Sequence, residues 1–291
     1  MANWRIILAA MLVATVTAPL PAQERADPEG RYEAAVAAYN GGPKKKIVGG
    51  TPAADKELPW QVSLGVSWIA DPYEAHFCGG TIYAAQWIVT AGHCVSGLKA
   101  EHITVAYGGT RLTPGARRVN VAEIIRHPDY KIVSTPSYQI PTNDVALLKL
   151  RTPLKFDDNA KPIVLISAAD EAAFTDTTRF VVSGFGAQAE GGNPVPRLFR
   201  ADVDRVTRDE CNGGLSYNNR ITPQMMCAGV KAGGTDSCQG DSGGPLVHRA
   251  ADGTPRLTGV VSWGDGCAKE LKFGVYARIG HYGPWIVQNA R

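Results

Sequence analysis

The chain has 291 residues, a formal net charge of +3, 44% apolar and 20% charged residues. That balance argues against disorder over most of the chain. The 32 Gly and 19 Pro follow no period, which excludes a collagen and predicts many turns between short strands. Charges are scattered, with Lys44, Lys45 and Lys46 the one basic run, so nucleic acid is not an expected partner.

Arg5, an uncharged run over 6–18 and the small-residue stretch Leu20-Pro21-Ala22 read as a secretory signal peptide over 1–22. The run is short of the roughly 20 residues that a membrane span needs, and no membrane association is expected after its removal. Residues 23–46 hold too little apolar material for a core, with a short helix expected over 32–39. From Ile47 the character changes. Strand-like runs recur at 61–66, 87–89, 103–107, 119–125, 145–150, 198–206, 257–263 and 274–279, rich in Val, Ile, Tyr and Thr. This pattern argues for an all-β barrel or sandwich, and its length suits two small barrels, about 47–162 and about 163–291 with a crossing near 157–162, better than one. Pro284, ahead of Trp285, Ile286 and Val287, predicts a short C-terminal helix over 282–291.

Secretion gives the six cysteines a meaning. Cys78, Cys94, Cys211, Cys227, Cys238 and Cys267 are even in number and contain no C-x-x-C, so three disulfides are expected rather than a zinc or thioredoxin-like site. Spacing alone leaves the pairing open.

Ser242 lies in the string GDSGGP, where flanking glycines can expose its hydroxyl and turn backbone N–H groups inward toward an oxyanion. A serine nucleophile needs a base, and the base needs an orienting acid. His93 in TAGHC and Asp144 in NDVALLKL supply those chemistries. His76, His102, His127, His248 and His281 have no comparable context and are read as structural or solvent-facing. The G-x-S-x-G string also fits a nucleophile elbow, but that fold needs acid and then histidine after the serine, and too little chain follows Ser242.

Over 47–291 the chain resembles the trypsin/chymotrypsin family of serine proteases. The strings IVGG (47–50), TAGHC (90–94), NDVALLKL (143–150), DSCQGDSGGP (236–245), SWGDGC (262–267) and GVYARI (274–279) carry the resemblance, in the order His, Asp, Ser. It implies two β-barrels with an active site in the cleft between them. His93 becomes general base and acid, Asp144 its orienting carboxylate and Ser242 the nucleophile, with Gly240 and Ser242 N–H groups as the oxyanion hole. It pairs Cys78 with Cys94, Cys211 with Cys227 and Cys238 with Cys267. It places Asp236 at the floor of the primary specificity pocket, Gly264 and Gly274 in its walls, and Ser237, Ser262 and Trp263 against the substrate.

A carboxylate in a dry slot favours a substrate cation, so cleavage after Arg or Lys is expected. The resemblance also makes 23–46 an activation propeptide, cut at Lys46–Ile47, whose new amine pairs with Asp241. The protein is thus expected as a secreted zymogen, extracellular or periplasmic, and a monomer. Its expected partners are protein or peptide substrates and protein protease inhibitors. No cofactor or metal is expected; residues 107–118 contain no acid with which to build a calcium loop. The competing readings are a non-catalytic homologue, disfavoured because all three chemical residues are present, and a protease restricted to one target.

Overall fold

The computed structural model describes residues 49–186, 195–237, 240–250 and 252–291. The leader, the 23–46 segment with its expected helix, Lys46, Ile47 and Cys238 lie outside them. The strands are β1 (Thr51–Pro52), β2 (Gln61–Val66), β3 (His76–Ala84), β4 (Trp87–Thr90), β5 (Ile103–Tyr107), β6 (Arg117–Arg126), β7 (Lys131–Ser134), β8 (Gln139–Thr142), β9 (Ala146–Leu150), β10 (Val164–Leu165), β11 (Arg179–Gly184), β12 (Phe199–Val206), β13 (Met225–Gly229), β14 (Pro245–Arg249), β15 (Pro255–Trp263) and β16 (Gly274–Arg278).

Two closed antiparallel barrels result. The first runs β2-β3-β4-β9-β6-β5. The second runs β12-β11-β14-β15-β16-β13 and closes through β12 and β13, with β1 and β10 added at β12 and β15. Closure leaves no open edge in either barrel, which suits short strands with both faces buried. β2 and β4 are buried at every position, and Val62, Leu64, Ile88, Val89, Leu147 and Leu148 are fully covered. β7 and β8 pair only with each other among the described residues.

β1 belongs to the second barrel, while the C-terminal helix reaches back to the first, stacking Tyr282 and Trp285 on His127. That helix spans Ile279–Asn289, so Pro284 sits inside it rather than starting it. The helix begins directly where β16 ends, and burial of Ile279, Tyr282 and Ile286 outweighs the missing N–H of an exposed proline. No helix among the described residues is long and apolar enough to cross a membrane.

Candidate active site

Barrel register brings His93 and Asp144 together. β4 pairs with β9 so that Thr90 faces Ala146. His93 opens the 3-10 turn His93–Val95 just beyond β4, and Asp144 lies just before β9. Asn143 precedes it at φ 50°, a left-handed turn that asparagine tolerates. The His93 N–H donates to Asp144 Oδ1 (2.8 Å) and Nδ1–H donates to Oδ2 (2.7 Å). The carboxylate accepts, so Nδ1 carries the proton and Nε2 is left as the basic nitrogen. Ser262 Oγ gives Asp144 a third short bond (2.5 Å). The register of β15 on β16 slips between Val261 and Trp263, and this irregularity turns Ser262 toward the acid. Asp144 is 2% exposed and His93 24%. Burial alone would lower the pKa of His93, but the charge of Asp144 and its hydrogen bond raise it above the usual imidazole value.

Ser242 sits where the barrels meet. Its carbonyl accepts from Gly79 N–H of β3 (2.7 Å), while Gly243 N–H donates to Val261 O of β15 (2.8 Å). Gly243 stands at φ +77°, and a Cβ there would fall 2.3 Å from Thr90 Oγ1 and 3.1 Å from Cys94 Sγ. Only glycine allows that approach. His93 Nε2 lies 3.7 Å from the same sulfur. The basic nitrogen and the loop bearing Ser242 therefore converge on Cys94, which is bonded to Cys78. Because those two sulfurs form a disulfide, the cluster of Cys78, His93 and Cys94 offers no thiolate to a metal.

A slot of about 210 Å³ joins Ser242 to Asp236, Ser237, Ser262, Trp263, Gly264 and Gly274, with Val261, Gly266 and Cys267 completing its lining. Asp236 is 3% exposed. It has one short donor, Ser237 N–H (2.7 Å); Ser237 Oγ and Ala268 N–H stand at 3.4 Å. Burial pushes its pKa from 3.8 up to about 7 against those weak bonds. Asp144 has three short donors where Asp236 has one. A Cβ at Gly274 would stand 2.8 Å from Asp236 Oδ1, whereas one at Gly264 would touch nothing closer than 3.7 Å.

Asp241 is fully buried, with Oδ1 accepting from Gly186 N–H (3.0 Å). Cys211–Cys227 is closed, and Cys267 is disulfide-bonded, its expected partner Cys238 lying outside the described residues.

Four residues escape sequence reasoning. His76 is buried, the structural one of the two positions expected for it, but its contacts are not legible in the sequence. Its Nε2–H donates to Gly240 O (3.1 Å) and its Nδ1 accepts from Ser63 Oγ (2.7 Å), so it holds the carbonyl of the glycine at φ +93° next to Asp241. Burial lowers its pKa to about 4, keeping the ring neutral at pH 7. Its one sequence signal is position, two residues before the cysteine that tethers His93; the β2–β3 register slips between the two, pairing Cys78 with Leu64 and His76 with Gly65. Tyr138, Tyr217 and Asp265 frame Trp263. The rings of Tyr217 and Trp263 lie 4.9 Å apart, and Tyr138 OH donates to Asp265 Oδ2 (2.9 Å). They are far apart in sequence, and no local string marks them.

The trypsin family model matches residues 47–286, and the chain belongs to the trypsin family of serine endopeptidases.

Proposed function

We propose that the mature chain, 47–291, is a secreted endopeptidase that cleaves peptide bonds after Arg or Lys. The observation that carries this is the slot containing both Ser242 and Asp236. Ionising a carboxylate that is 3% exposed and has one short donor is unfavourable, and a guanidinium or ammonium entering the slot supplies the missing partner. An apolar side chain would leave the carboxylate as it is. Gly274 keeps clear the space around Asp236, Gly264 leaves the wall without a side chain, and Ser237 adds a hydroxyl for a lysine head.

With the cation seated, the scissile carbonyl lies at Ser242. His93 Nε2 takes the hydroxyl proton as Oγ attacks, and Asp144 holds the imidazolium that forms. Gly240 and Ser242 N–H groups receive the oxyanion. His93 then protonates the leaving amine, and water, activated by the same nitrogen, releases the acyl group from the serine. Trp263 and Ser262 flank the bound peptide. The substrates are proteins and peptides, and protein inhibitors that present a basic residue fit the same slot. Matched peptide substrates with Arg, Lys, Phe or Ala before the cleaved bond test this. Arg and Lys are expected to lead by orders of magnitude in kcat/KM, and a preference for Phe would refute the reading.

The precursor is a zymogen. Cleavage at Lys46–Ile47 creates an α-amine for Asp241, whose buried carboxylate lies next to Ser242. Pairing raises the amine's pKa above the ordinary range of about 7.7–8.0. The stabilisation is present below that range and is lost as pH rises through the raised value. The bond follows a lysine, so the enzyme can cut its own precursor. Lys46→Gln is expected to block maturation, and unchanged processing of that variant would count against it.

A further inference from the structure

The tripeptide Lys-Ile-Val occurs twice in the chain, at 46–48 and at 131–133. We propose that Lys131–Ile132 is a second processing bond, cut by the same lysine-directed proteolysis that matures the protein. The proposal rests on the reading of Lys46–Ile47 given above.

The fold presents this second copy openly. Lys131 to Ser134 form β7, exposed at all four positions, with Ile132 52% and Val133 41% accessible. Apolar β-branched residues at that exposure are unlike the buried strands around them. The strand is already extended, and its only ladder among the described residues is to β8. A two-stranded hairpin is marginal by itself, so local opening of β7 is cheap. The anchors sit on the other arm: Ile140 is buried, and Tyr138 is tied to Asp265. β7 can therefore lift away while β8 stays seated.

The reaction is ordinary hydrolysis. The Lys131 acyl group passes to the attacking serine, the Ile132 nitrogen leaves as an amine with a proton from the histidine, and water then frees the Lys131 carboxylate. Cys78 and Cys94 precede the bond and the other four cysteines follow it, so neither closed disulfide spans the cut. The halves remain joined by the ladders of β9 with β4 and β6. The product is a nicked two-chain enzyme held by its first barrel.

Full-length Ser242→Ala protein, unable to cut itself, is incubated in one arm with trace mature wild-type enzyme. In a second arm it receives a lysine-specific endopeptidase under limiting conditions. New N-termini are sequenced, and products are run on a denaturing gel without reductant. Ile47 and Ile132 are expected among the earliest N-termini in both arms, with 47–131 and 132–291 separating without reductant. Adding Lys131→Gln should leave only the Ile47 terminus. Appearance of Ile47 without Ile132 in the lysine-specific arm would overturn the second bond and leave the slot reading untouched. If the lysine-specific enzyme cuts at Ile132 but the wild-type enzyme cuts neither bond, the basic specificity of the slot falls, and the exposed bond stands for other lysine-directed proteases.

Discussion

Asp236→Asn separates what the slot does for catalysis from what it does to the fold. The Asp236 carboxyl has its pKa moved by burial from 3.8 to about 7. At about 1.4 kcal/mol per pH unit, ionising it in the empty slot is disfavoured by at most about 4 kcal/mol relative to the unfolded chain. The folded state keeps its proton where the unfolded state has lost it. Stability therefore falls as pH rises from about 4 to about 7 and is level beyond. Asparagine cannot ionise, so the variant should unfold at higher denaturant than the wild type near pH 8 and at the same denaturant near pH 3. Its kcat/KM for Arg substrates should fall by about 10³, the loss expected when a buried ion pair is broken. The inhibition constant of a small amidinium ligand adds a check that needs no chemistry at His93. It should weaken about tenfold per pH unit below about 7 in the wild type, following protonation of one group, and show no such slope in the variant. A variant that is no more stable near pH 8, or one that still prefers Arg, would refute the argument.

Gly274→Val places a side chain where a Cβ already stands 2.8 Å from Asp236 Oδ1, so KM for Arg substrates should rise at least about a hundredfold while the fold persists by circular dichroism. Ser262→Ala removes the 2.5 Å donor to Asp144 and should lower kcat by about tenfold, the worth of one charge-assisted bond. Because Asp144 raises the pKa of His93, the acid limb of kcat should lie above the usual imidazole value, and Asp144→Asn should move it down together with a large loss of kcat. His76, held near 4 by burial, takes up protons less readily folded than unfolded. Stability should therefore fall by up to about 3 kcal/mol as pH drops from about 6.5 to about 4. His76→Gln should flatten that part of the urea-unfolding profile.

Short strings expose His93, Asp144 and Ser242 because the close packing there needs small or unusual neighbours in sequence. Gly243 must pass 2.3 Å, at a virtual Cβ, from Thr90 Oγ1, and that demand is visible as the pair of glycines after Ser242. Strands such as β2 and β5 are legible from their apolar β-branched residues alone. β3 is not. Gly79 and Gly80 speak against a strand, yet a Cβ on Gly79 would stand 2.9 Å from Gly244 Cα, so the contact between barrels selects the glycine and tertiary pairing keeps it extended. β7 and β8 escape for the opposite reason: their surroundings impose little alternation, and Pro141 argues against a ladder. The helix start is misplaced because Pro284 has a strong local preference that burial of Ile279 and Tyr282 overrides. Tyr138 and Asp265 meet only because the β7–β8 hairpin folds against the 262–267 segment, a relation that no window of sequence contains.

Two groups whose charged forms burial disfavours, Asp236 and His76, lie on or against the segment that carries Ser242. Asp236 and His76 are each 3% exposed; Asp236 lies ahead of β14 in that segment, and His76, at the start of β3, holds the segment's Gly240 carbonyl. The barrels pair their own backbones by closure, without that segment. The segment is instead pinned from both sides, by Gly79 of the first barrel and Val261 of the second. Ser242 is therefore placed by the relative position of two bodies, whereas the backbones of His93 and Asp144 belong to one, with Ser262 Oγ reaching Asp144 from the other. A small shift of one barrel against the other moves the hydroxyl relative to the imidazole while leaving both cores intact. A misplacement of about 1 Å can cost about a hundredfold in rate. Substitutions along the joint should thus abolish turnover well before they lower the unfolding midpoint, and substitutions inside either barrel should lower both together.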